Sequence, residues 1–509
     1  MKKKIFGYRR PATRHEPRAF DRRQILGMTA AGVLGAWSRG LGASPNRPRR
    51  PLAGRPIRQP SETLNPQRVL VIGAGVSGLA AARSLADAGH DVLVIESRNR
   101  IGGRIDTSSH WADAPVDLGA SWIHGTDDNP IAQIADQIGA QTVPTNDNAA
   151  EIYDFDGDVL SNAQYLRLMQ LQAQVNQIVV EGQDADVDQP LRQTVENGIG
   201  FPQLSAQDQR FVNFIINEVE QGLAGSATML STYWYDDPGF FTGPEVVFPG
   251  GYRVITDHLA EGLAIELGQT VSEIAIDSEG VTVTTQGGTF SGGCAIVTLP
   301  LGVLKAGTVQ FSPGLPSSIQ QAIDTLQMGV LNKAYLRFPT AFWPQNLDWM
   351  QQVPQNHGEW VNWLNIDRVV DQPILAGFNV ADFGTQLESL PDQDIVANGM
   401  EKLRSIFGNS IPDPLDFQIT RWASDPHTRG SYSFLPSGAH PSLRDALGGS
   451  IDGRIFFAGE ATQREHYPTV HGAYLSGLRA ASQITKTFSG HIFSDGFESG
   501  DTSEWSTLA

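Results

Sequence analysis

Residues 68–78 read RVLVIGAGVSG, and residues 91–96 read DVLVIE. The two apolar, β-branched runs are typical of buried parallel strands, and residues 79–90 between them have helical character. A strand, a tight glycine turn, a helix and a second strand that ends in an acid form the dinucleotide-binding unit of an α/β fold. This stretch therefore predicts a Rossmann-like domain.

The glycines of this turn have separate expected roles. Gly73 permits the turn, Gly75 lets the backbone approach a pyrophosphate, and Gly78 lets the helix pack closely on the strand. Free N–H groups at the start of the helix would bind the phosphates. Glu96 stands 18 residues after Gly78, where its carboxylate would hydrogen-bond a ribose hydroxyl.

A second glycine pair follows directly, in SRNRIGGRIDT at residues 97–107. Glycines flanked by arginines can hold an extended pyrophosphate from its other side, with Arg104 as the charge partner. The alternative interpretation of this segment is an ordinary surface loop.

The first 66 residues are expected to lie outside the fold. A basic stretch, the pair Arg22-Arg23 and an apolar run at 25–37 predict a twin-arginine export signal over residues 1–43, and hence a periplasmic or secreted protein. The alternative is a disordered basic tail. The run is shorter than the ~20 residues that span a bilayer, so no membrane anchor is expected in the mature form.

Two polar segments complete this outline. Residues 44–66 are rich in proline and arginine and predict a linker. The acidic tail at 489–509 is either disordered or a sorting tag.

Cysteine count and charge limit the possible functions. The single cysteine, Cys294, lies in an apolar run and is interpreted as a small core residue, and the lack of a Cys/His cluster argues against a structural metal site. The net charge is −18, and removal of residues 1–43, which carry ten basic and two acidic side chains, would leave −26. Such a surface repels nucleic acid and attracts cationic small molecules, or it serves solubility alone.

Further segments resemble, in order and spacing, those of the flavin-containing amine oxidases, the family of monoamine oxidases, polyamine oxidases and flavin histone demethylases. They are DLGASWIHG (117–125), FPGGY (248–252), VTLPLGVLK (297–305), GVLNKAYLRF (329–338), RWASDP (421–426), RGSYSF (429–434), FFAGEAT (456–462) and VHGAYLSGL (470–478). With the opening motif they span about residues 66–488. The resemblance implies a bacterial exported member that binds FAD, noncovalently because Cys294 lies in a different motif from the cysteine of monoamine oxidases.

The resemblance also implies two interleaved domains. A Rossmann-like FAD-binding domain would comprise residues 66–135, 241–305 and 436–488. A substrate domain of mixed sheet and helices would comprise residues 136–240 and 306–435, with a strand at 334–338 and a helix at 392–407.

Fourteen positions are implied to bind FAD: Gly73, Gly75, Gly78, Glu96, Arg98, Gly103, Arg104, Gly119, Ala120, Ser121, Trp122, Val271, Glu460 and Val470. Glu460 would accept hydrogen bonds from ribityl hydroxyls. The helix expected at 469–487 would point its partly positive N-terminus at the flavin pyrimidine.

Five catalytic candidates follow from the same resemblance. Lys333 would hold a water against flavin N5 and stabilise the developing oxygen anion. Trp422 and Tyr432 would form aromatic walls, and Thr469 would leave the aromatic cage open where many members have a second aromatic. His124 would contact a polyamine. The alternatives are a surface lysine, core aromatics and a histidine satisfied beneath the flavin.

Two acids of one predicted helix, Glu218 and Glu220, are candidates for a distal ammonium. Residues at i and i+2 do not share a helix face, so at most one of them is expected to line a channel.

The predicted function is FAD-dependent oxidation of amines, with polyamines preferred, giving an aldehyde, a shorter amine and hydrogen peroxide. One alternative is an L-amino acid or aromatic monoamine oxidase; an amino acid oxidase would need an arginine fork for the substrate carboxylate, and none is placed by the sequence. The other is a non-catalytic FAD-binding protein. The oligomeric state stays open.

Overall fold

A computed structural model describes residues 68–494 of the chain. The predicted export signal, the linker and the part of the tail beyond residue 494 lie outside the described residues. Within the described part, no helix combines the length and the apolar character that crossing a membrane requires.

The strands are numbered in chain order: β1 Val69–Ile72, β2 Val92–Ile95, β3 Thr107–Ser108, β4 Val116–Asp117, β5 Trp122–Ile123, β6 Val143–Thr145, β7 Ala150–Tyr153, β8 Glu245–Val247, β9 Ala264–Glu266, β10 Val271–Ile276, β11 Val281–Thr285, β12 Gly288–Gly292, β13 Cys294–Val297, β14 Gln310–Ser312, β15 Gln327–Met328, β16 Leu331–Arg337, β17 Trp349–Gln352, β18 Asn362–Asn365, β19 Ile374–Val380, β20 Asp416–Ile419, β21 Ser433–Phe434, β22 Ser450–Ile451 and β23 Ile455–Phe457.

The α-helices are α1 Val76–Asp87, α2 Pro130–Gln137, α3 Asn162–Gln183, α4 Leu191–Ile199, α5 Ala206–Leu223, α6 Arg253–Ala260, α7 Leu301–Lys305, α8 Ser317–Thr325, α9 Asp367–Val370, α10 Ala381–Leu387, α11 Asp392–Phe407, α12 Ser442–Leu447 and α13 Val470–Ser494. Short 3-10 helices lie at Phe201–Gln203 and Glu460–Thr462.

The first sheet has the order β22-β23-β13-β1-β2-β9, and only the β22–β23 pair is antiparallel. Its central strands are apolar at every position because both faces are covered. Val69 and Val71 pack in one core with α1 and α13, whereas Leu70 and Ile72 pack in another with β10, β11 and α8. The α/β fold class is confirmed in this sheet.

The second large sheet has the order β20-β16-β19-β18-β17-β7 and is antiparallel except for the β17–β7 pair. Helix α11 packs on it around the stacked pair Trp360 and Trp363. Helices α3, α4 and α5 form a separate apolar cluster beside it. All six strands come from the two segments predicted for the substrate domain.

Two observations refine the sequence predictions. Helix α1 begins at Val76, three residues earlier than the apolar pattern indicated, whereas α11 covers the predicted residues 392–407. Beyond the boundary predicted at residue 305, β14 pairs with β10, and Ile319 and Ile323 of α8 pack with the first sheet.

Candidate active site

The glycine turn between β1 and α1 has the geometry that the sequence predicts. Gly73 has a φ of +106°, and a Cβ on Gly78 would lie 2.0 Å from the carbonyl oxygen of Gly73. No side chain caps α1 and its first turn carries no acid. The first N–H groups of the helix are therefore available for an anion, as a pyrophosphate requires.

Glu96 ends β2 and is buried beside this turn. One carboxylate oxygen accepts a hydrogen bond of 2.7 Å from the backbone N–H of Ala74, and the other accepts one of 2.8 Å from the N–H of Arg98. Val271 starts β10, just after Gln269, whose N–H donates to the carbonyl of Glu96. The two predicted cofactor positions Glu96 and Val271 thus lie close together.

The second glycine pair approaches the first turn. Gly75 and Gly102 form a β-bridge, and a Cβ on Gly103 would lie 3.3 Å from the Cα of Gly75. At Gly119 a Cβ would lie 1.8 Å from the carbonyl oxygen of Arg104, and the N–H of Ala120 donates to the same oxygen. Close backbone contacts leave a narrow cradle of the kind that an extended dinucleotide fills.

The arginines of this segment have partners that the sequence did not predict. Arg104 donates to the carboxylate of Glu460 at 2.9 Å and to the carbonyl of Ser431, and Arg98 pairs with Asp425 at 2.5 Å. Both contacts of Arg104 use Nη1, so the rest of the guanidinium is available, and the expected pairing of Arg104 with the pyrophosphate stays a prediction. Its guanidinium first neutralises a buried acid.

Glu460 is held by a buried network. Its second oxygen accepts from the hydroxyl of Ser433 at 2.6 Å, and that hydroxyl in turn accepts from the fully buried Arg444. Burial opposes ionisation, but the charges of Arg104 and Arg444 hold the pKa of Glu460 below its usual value. Both carboxylate oxygens accept protein donors, so the predicted ribityl contact would share them.

Lys333 is the most constrained of the catalytic candidates. It lies on β16, is buried, and donates from Nζ to the carbonyls of Asp117 at 2.8 Å and Gly119 at 2.6 Å and to the hydroxyl of Ser121 at 2.6 Å. Burial lowers the pKa of Lys333 to about 8 against the attraction of the Asp117 carboxylate. This burial excludes the alternative that Lys333 is a solvated surface lysine. With three acceptors engaged, Lys333 must release one of them to hold the predicted water.

Several aromatic rings, together called the aromatic wall, lie around the Lys333 ammonium. Lys333 Nζ lies 5.8 Å from the ring centroids of Trp122 and Phe378 and 5.9 Å from that of Tyr335. Trp122 stacks on Trp349 with centroids 6.0 Å apart. This wall, and not Trp422 or Tyr432, carries the aromatic contacts of Lys333 among the described residues.

The three-stranded sheet β5-β8-β6 brings distant residues together. His124 follows β5, Glu245 begins β8, and Asp147 follows β6. Nδ1 of His124 donates to a Glu245 oxygen at 2.6 Å, and the other Glu245 oxygen accepts from the N–H of Gly125 at 3.0 Å. Half of the His124 side chain is exposed, and the partial desolvation of its ring disfavours the charged form, but the Glu245 carboxylate outweighs this effect and raises the pKa of His124.

Two further carboxylates lie near this pair. Burial raises the pKa of Asp147 to about 6, and the charge of Glu245 adds to the rise. Burial likewise raises the pKa of Glu218 to about 7, with Asp147 contributing and a hydrogen bond from Asn362 opposing. No lysine or arginine acts on either acid, and the only cation that favours ionisation of Asp147 is a protonated His124.

Glu220 takes no part in this cluster. It is buried elsewhere, accepting from the His357 ring at 2.7 Å and from the N–H of Ala227 at 2.8 Å. Glu218 and Glu220 therefore have different partners, in agreement with the expectation that at most one of them lines a channel, and Glu218 is the one beside the site.

The remaining candidates have mainly structural contacts. Trp422 is buried, and its backbone N–H donates to the side-chain oxygen of Asn332, the neighbour of Lys333. The hydroxyl of Tyr432 donates to the carbonyl of Gln221. The Thr469 hydroxyl accepts from the N–H of Gly472 and so caps α13 directly before Val470. Thr469 is thus a helix cap, and its expected place at an open aromatic cage stays a prediction.

The only cysteine is a core residue, as predicted. Cys294 is free, 1% exposed and paired in register with Val69 at the centre of the first sheet. Burial raises the pKa of its thiol to about 12. Such a thiol is inert toward a cofactor.

Comparison with known proteins identifies the family. Residues 76–485 match the family described as flavin containing amine oxidoreductase. The chain belongs to this family. FAD is therefore the cofactor that fits the uncapped α1, the glycine cradle and Glu96.

Individual relatives agree with this assignment. Polyamine oxidase 4 of Oryza sativa subsp. japonica is 33% identical over 438 residues, which are 83% of this chain and 89% of the relative. Lysine-specific histone demethylase 1 homolog 1 of Arabidopsis thaliana is 34% identical over 449 residues, which are 83% of this chain but 52% of the relative. The chain thus spans about half the length of the demethylase relative.

A solved structure of a redesigned putrescine oxidase has the same fold. It superposes with a TM-score of 0.69 at 20% identity, covering 82% of this chain and 99% of that chain.

Sequence reasoning missed Glu245, Asp147, Trp349, Phe378 and Arg444. None lies in a recognisable local motif, and each reaches the site or the Glu460 network only through tertiary contacts. Glu245 stands three residues before the FPGGY segment, which is the only signal that could have drawn attention to it.

Proposed function

We propose that this protein oxidises polyamines with FAD and oxygen, yielding an aldehyde, a shorter amine and hydrogen peroxide. The observation that carries the proposal is the set of three carboxylates, Asp147, Glu218 and Glu245, grouped beside the aromatic wall of Lys333. No lysine or arginine is among the groups that stabilise the charge of Asp147 or Glu218. A substrate ammonium would supply the missing cation.

The strand register sets the distance between the two ends of this site. Lys333 of β16 pairs with Phe378 of β19, and Phe378 pairs with Asn362 of β18. Neighbouring strands lie ~4.8 Å apart, so about 10 Å separates Lys333 from Asn362 across the sheet. Asn362 donates to Glu218. An amine with a second ammonium several carbons away fits this spacing.

The protein's own residues would orient the amine. Bound FAD would accept the hydride from the α-carbon and pass the electrons to oxygen. Trp122, Trp349 and Phe378 would line the alkyl chain and exclude water, and the carboxylates would bind the distal charge. His124, with its ring half exposed, would contact the reacting nitrogen.

The same charges disfavour the principal alternative. An L-amino acid would bring its carboxylate toward Asp147, Glu218 and Glu245, where like charges repel. Arg104 is committed to Glu460 and Arg337 to Asp113, so neither is available as the carboxylate fork that such a substrate needs.

Peroxide release over an amine panel tests the proposal. Spermine, spermidine, putrescine, benzylamine and amino acids are compared by kcat/KM. We expect a polyamine to give the highest value. A higher value for a monoamine or an amino acid than for every polyamine would refute the substrate class while leaving the family assignment intact.

We also propose that the FAD is noncovalent, since Cys294 is buried and inert. Acid precipitation should release the flavin into the supernatant. Yellow colour that stays with the pellet would contradict the proposal.

Export by the twin-arginine route is a further part of the proposal, supported by Arg22 and Arg23 before the apolar run. This route carries folded protein, which suits a cofactor inserted in the cytoplasm. Changing both arginines to lysine should cause the unexported precursor to accumulate inside the cell. Undiminished periplasmic or secreted activity in that variant would argue against the route.

A further inference from the structure

The carboxylate of Glu245 forms hydrogen bonds with two neighbouring groups. One carboxylate oxygen lies 2.6 Å from Nδ1 of His124, and the other accepts the backbone N–H of Gly125 at 3.0 Å. Glu245 itself is fixed by β8, where it pairs with Thr145 of β6. A carboxylate anchored on a strand and bound at both oxygens has little freedom to rotate.

This contact determines which ring nitrogen of His124 carries hydrogen. An ionised carboxylate can only accept hydrogen bonds, so Nδ1 must be the donor. The neutral ring then carries its lone pair on Nε2. Within the described part of the chain Nε2 has no hydrogen-bond partner, and the His124 side chain is 50% exposed. Nε2 is thus free to accept a hydrogen bond or a proton from an incoming amine.

We propose that Glu245 is a positioning residue for amine oxidation: it fixes the rotamer and the tautomer of His124 so that Nε2 accepts a proton from the substrate ammonium. The proposal rests on the polyamine function above. The transfer is balanced, because the proton leaves the ammonium for Nε2 and the amine keeps the electron pair that its oxidation needs. The imidazolium that forms is stabilised by the Glu245 carboxylate.

Other ionisable groups also act on this ring. Asp147 favours its charged form, whereas His471 lies close enough to interact unfavourably with it. Burial lowers the pKa of His471 to about 3, with His124 and His466 contributing, so His471 stays neutral at ordinary pH. Among these groups only Glu245 contacts the His124 ring through a hydrogen bond.

The test replaces Glu245 by glutamine, which keeps the shape and removes the charge. In the FAD-loaded protein labelled with ¹⁵N-histidine, NMR reports both the pKa and the tautomer of His124, whose signal is assigned by its loss in His124→Ala. In Glu245→Gln we expect a lower pKa and a mixed tautomer. Glu273→Gln, an exposed strand position on β10, is the matched control and should change neither.

Kinetics supply the second readout. The acid limb of kcat/KM for spermine should move to lower pH in Glu245→Gln, and Glu245→Asp should retain part of the wild-type profile. Unchanged pKa and tautomer of His124 in Glu245→Gln would overturn the proposal. A changed His124 signal with an unchanged kinetic profile would instead keep the structural contact and refute the role of His124 at the amine. Flavin content shows that each variant is folded.

Discussion

The cofactor cradle and the amine end of the site differ in whether positively charged side chains neutralise their acidic residues. In the cradle, the Glu460 carboxylate is matched by Arg104 and the Ser433–Arg444 network, and its pKa is lowered. At the amine end, Asp147 and Glu218 have raised pKa values and no lysine or arginine among the groups that act on them. A region that serves one permanent cofactor is largely neutralised by the protein. Under the proposed function, the region that receives the substrate ammonium instead contains acids that no lysine or arginine neutralises.

The largest expected effect lies in the cradle. In Gly78→Ala the new Cβ would lie 2.0 Å from the carbonyl oxygen of Gly73, and such overpacking costs about 3 kcal/mol. Because this contact sets the first turn of α1, FAD should be lost with the fold. Thermal unfolding and flavin content measure both losses.

Gly222 is the matched glycine control. It lies in α5, and a Cβ added to it would have no other atom within 4 Å, so Gly222→Ala should stabilise by ~0.5–1 kcal/mol. A Gly78→Ala variant with wild-type Tm and full flavin would show that the cradle is more tolerant than its contacts indicate.

Lys333 lies where the two regions meet, and its charge should act on oxygen. Lys333→Met should slow flavin reoxidation by ~10²-fold, like the loss of an oxyanion donor, and slow anaerobic reduction by amine less. In the wild type, reoxidation should fall as pH rises through about 8, because Lys333 loses its proton there. Stopped-flow measurement of flavin reduction by amine and of flavin reoxidation by oxygen tests these expectations.

The control for that experiment is Lys402→Met, which removes a lysine paired with Glu359 and should leave both half-reactions unchanged. Flavin content is measured as well, since Lys333 also ties residues 117–121 to β16. Equal reoxidation rates in wild type and Lys333→Met would remove Lys333 from this role.

The smallest effect is expected at the amine end. Glu218→Gln should raise KM for spermine about fivefold, the equivalent of ~1 kcal/mol for a partly exposed ion pair. Since the Glu218 pKa is raised to about 7, the carboxyl is neutral below that pH and negative above it. Wild-type KM should therefore fall as pH rises through 7, and this dependence should weaken in the variant.

Glu220→Gln provides the comparison within the same helix. Glu220 pairs with His357 away from the carboxylate cluster, so its loss should lower Tm and leave the pH dependence of KM intact. Added salt should raise KM in the wild type through screening. The same KM for both glutamine variants would argue against the assignment of Glu218 to the distal ammonium.

The contrast also explains what could be read from the sequence. The strand-turn-helix-strand unit and Glu96 were predictable because they are contiguous, and apolar periodicity located α11. The partner of Arg104, by contrast, lies 356 residues away. Helical geometry separated Glu218 from Glu220, but it could not show what either one contacts.

The contacts at the amine end could not be predicted from the sequence for the same reason. His124 and Glu245 are 121 residues apart and meet only through the pairing of β5 with β8. Register between strands so distant is set by the whole fold and not by local propensity. The contacts of β14 with β10 and of α8 with the first sheet likewise join segments that no local pattern connects.

The packing of α1 against α13 has a consequence for biosynthesis. Ser77 of α1 lies 3.1 Å from Ser476 of α13, 399 residues later, and a Cβ on Gly477 would lie 2.1 Å from the carbonyl oxygen of Ser77. The buried face of α1 is therefore fully covered only after α13, the last helix among the described residues, has been synthesised. On a ribosome that adds 5–20 residues per second, roughly 20–80 s separate the emergence of the two. During that interval the face of α1 that packs on α13 is exposed and available to a chaperone.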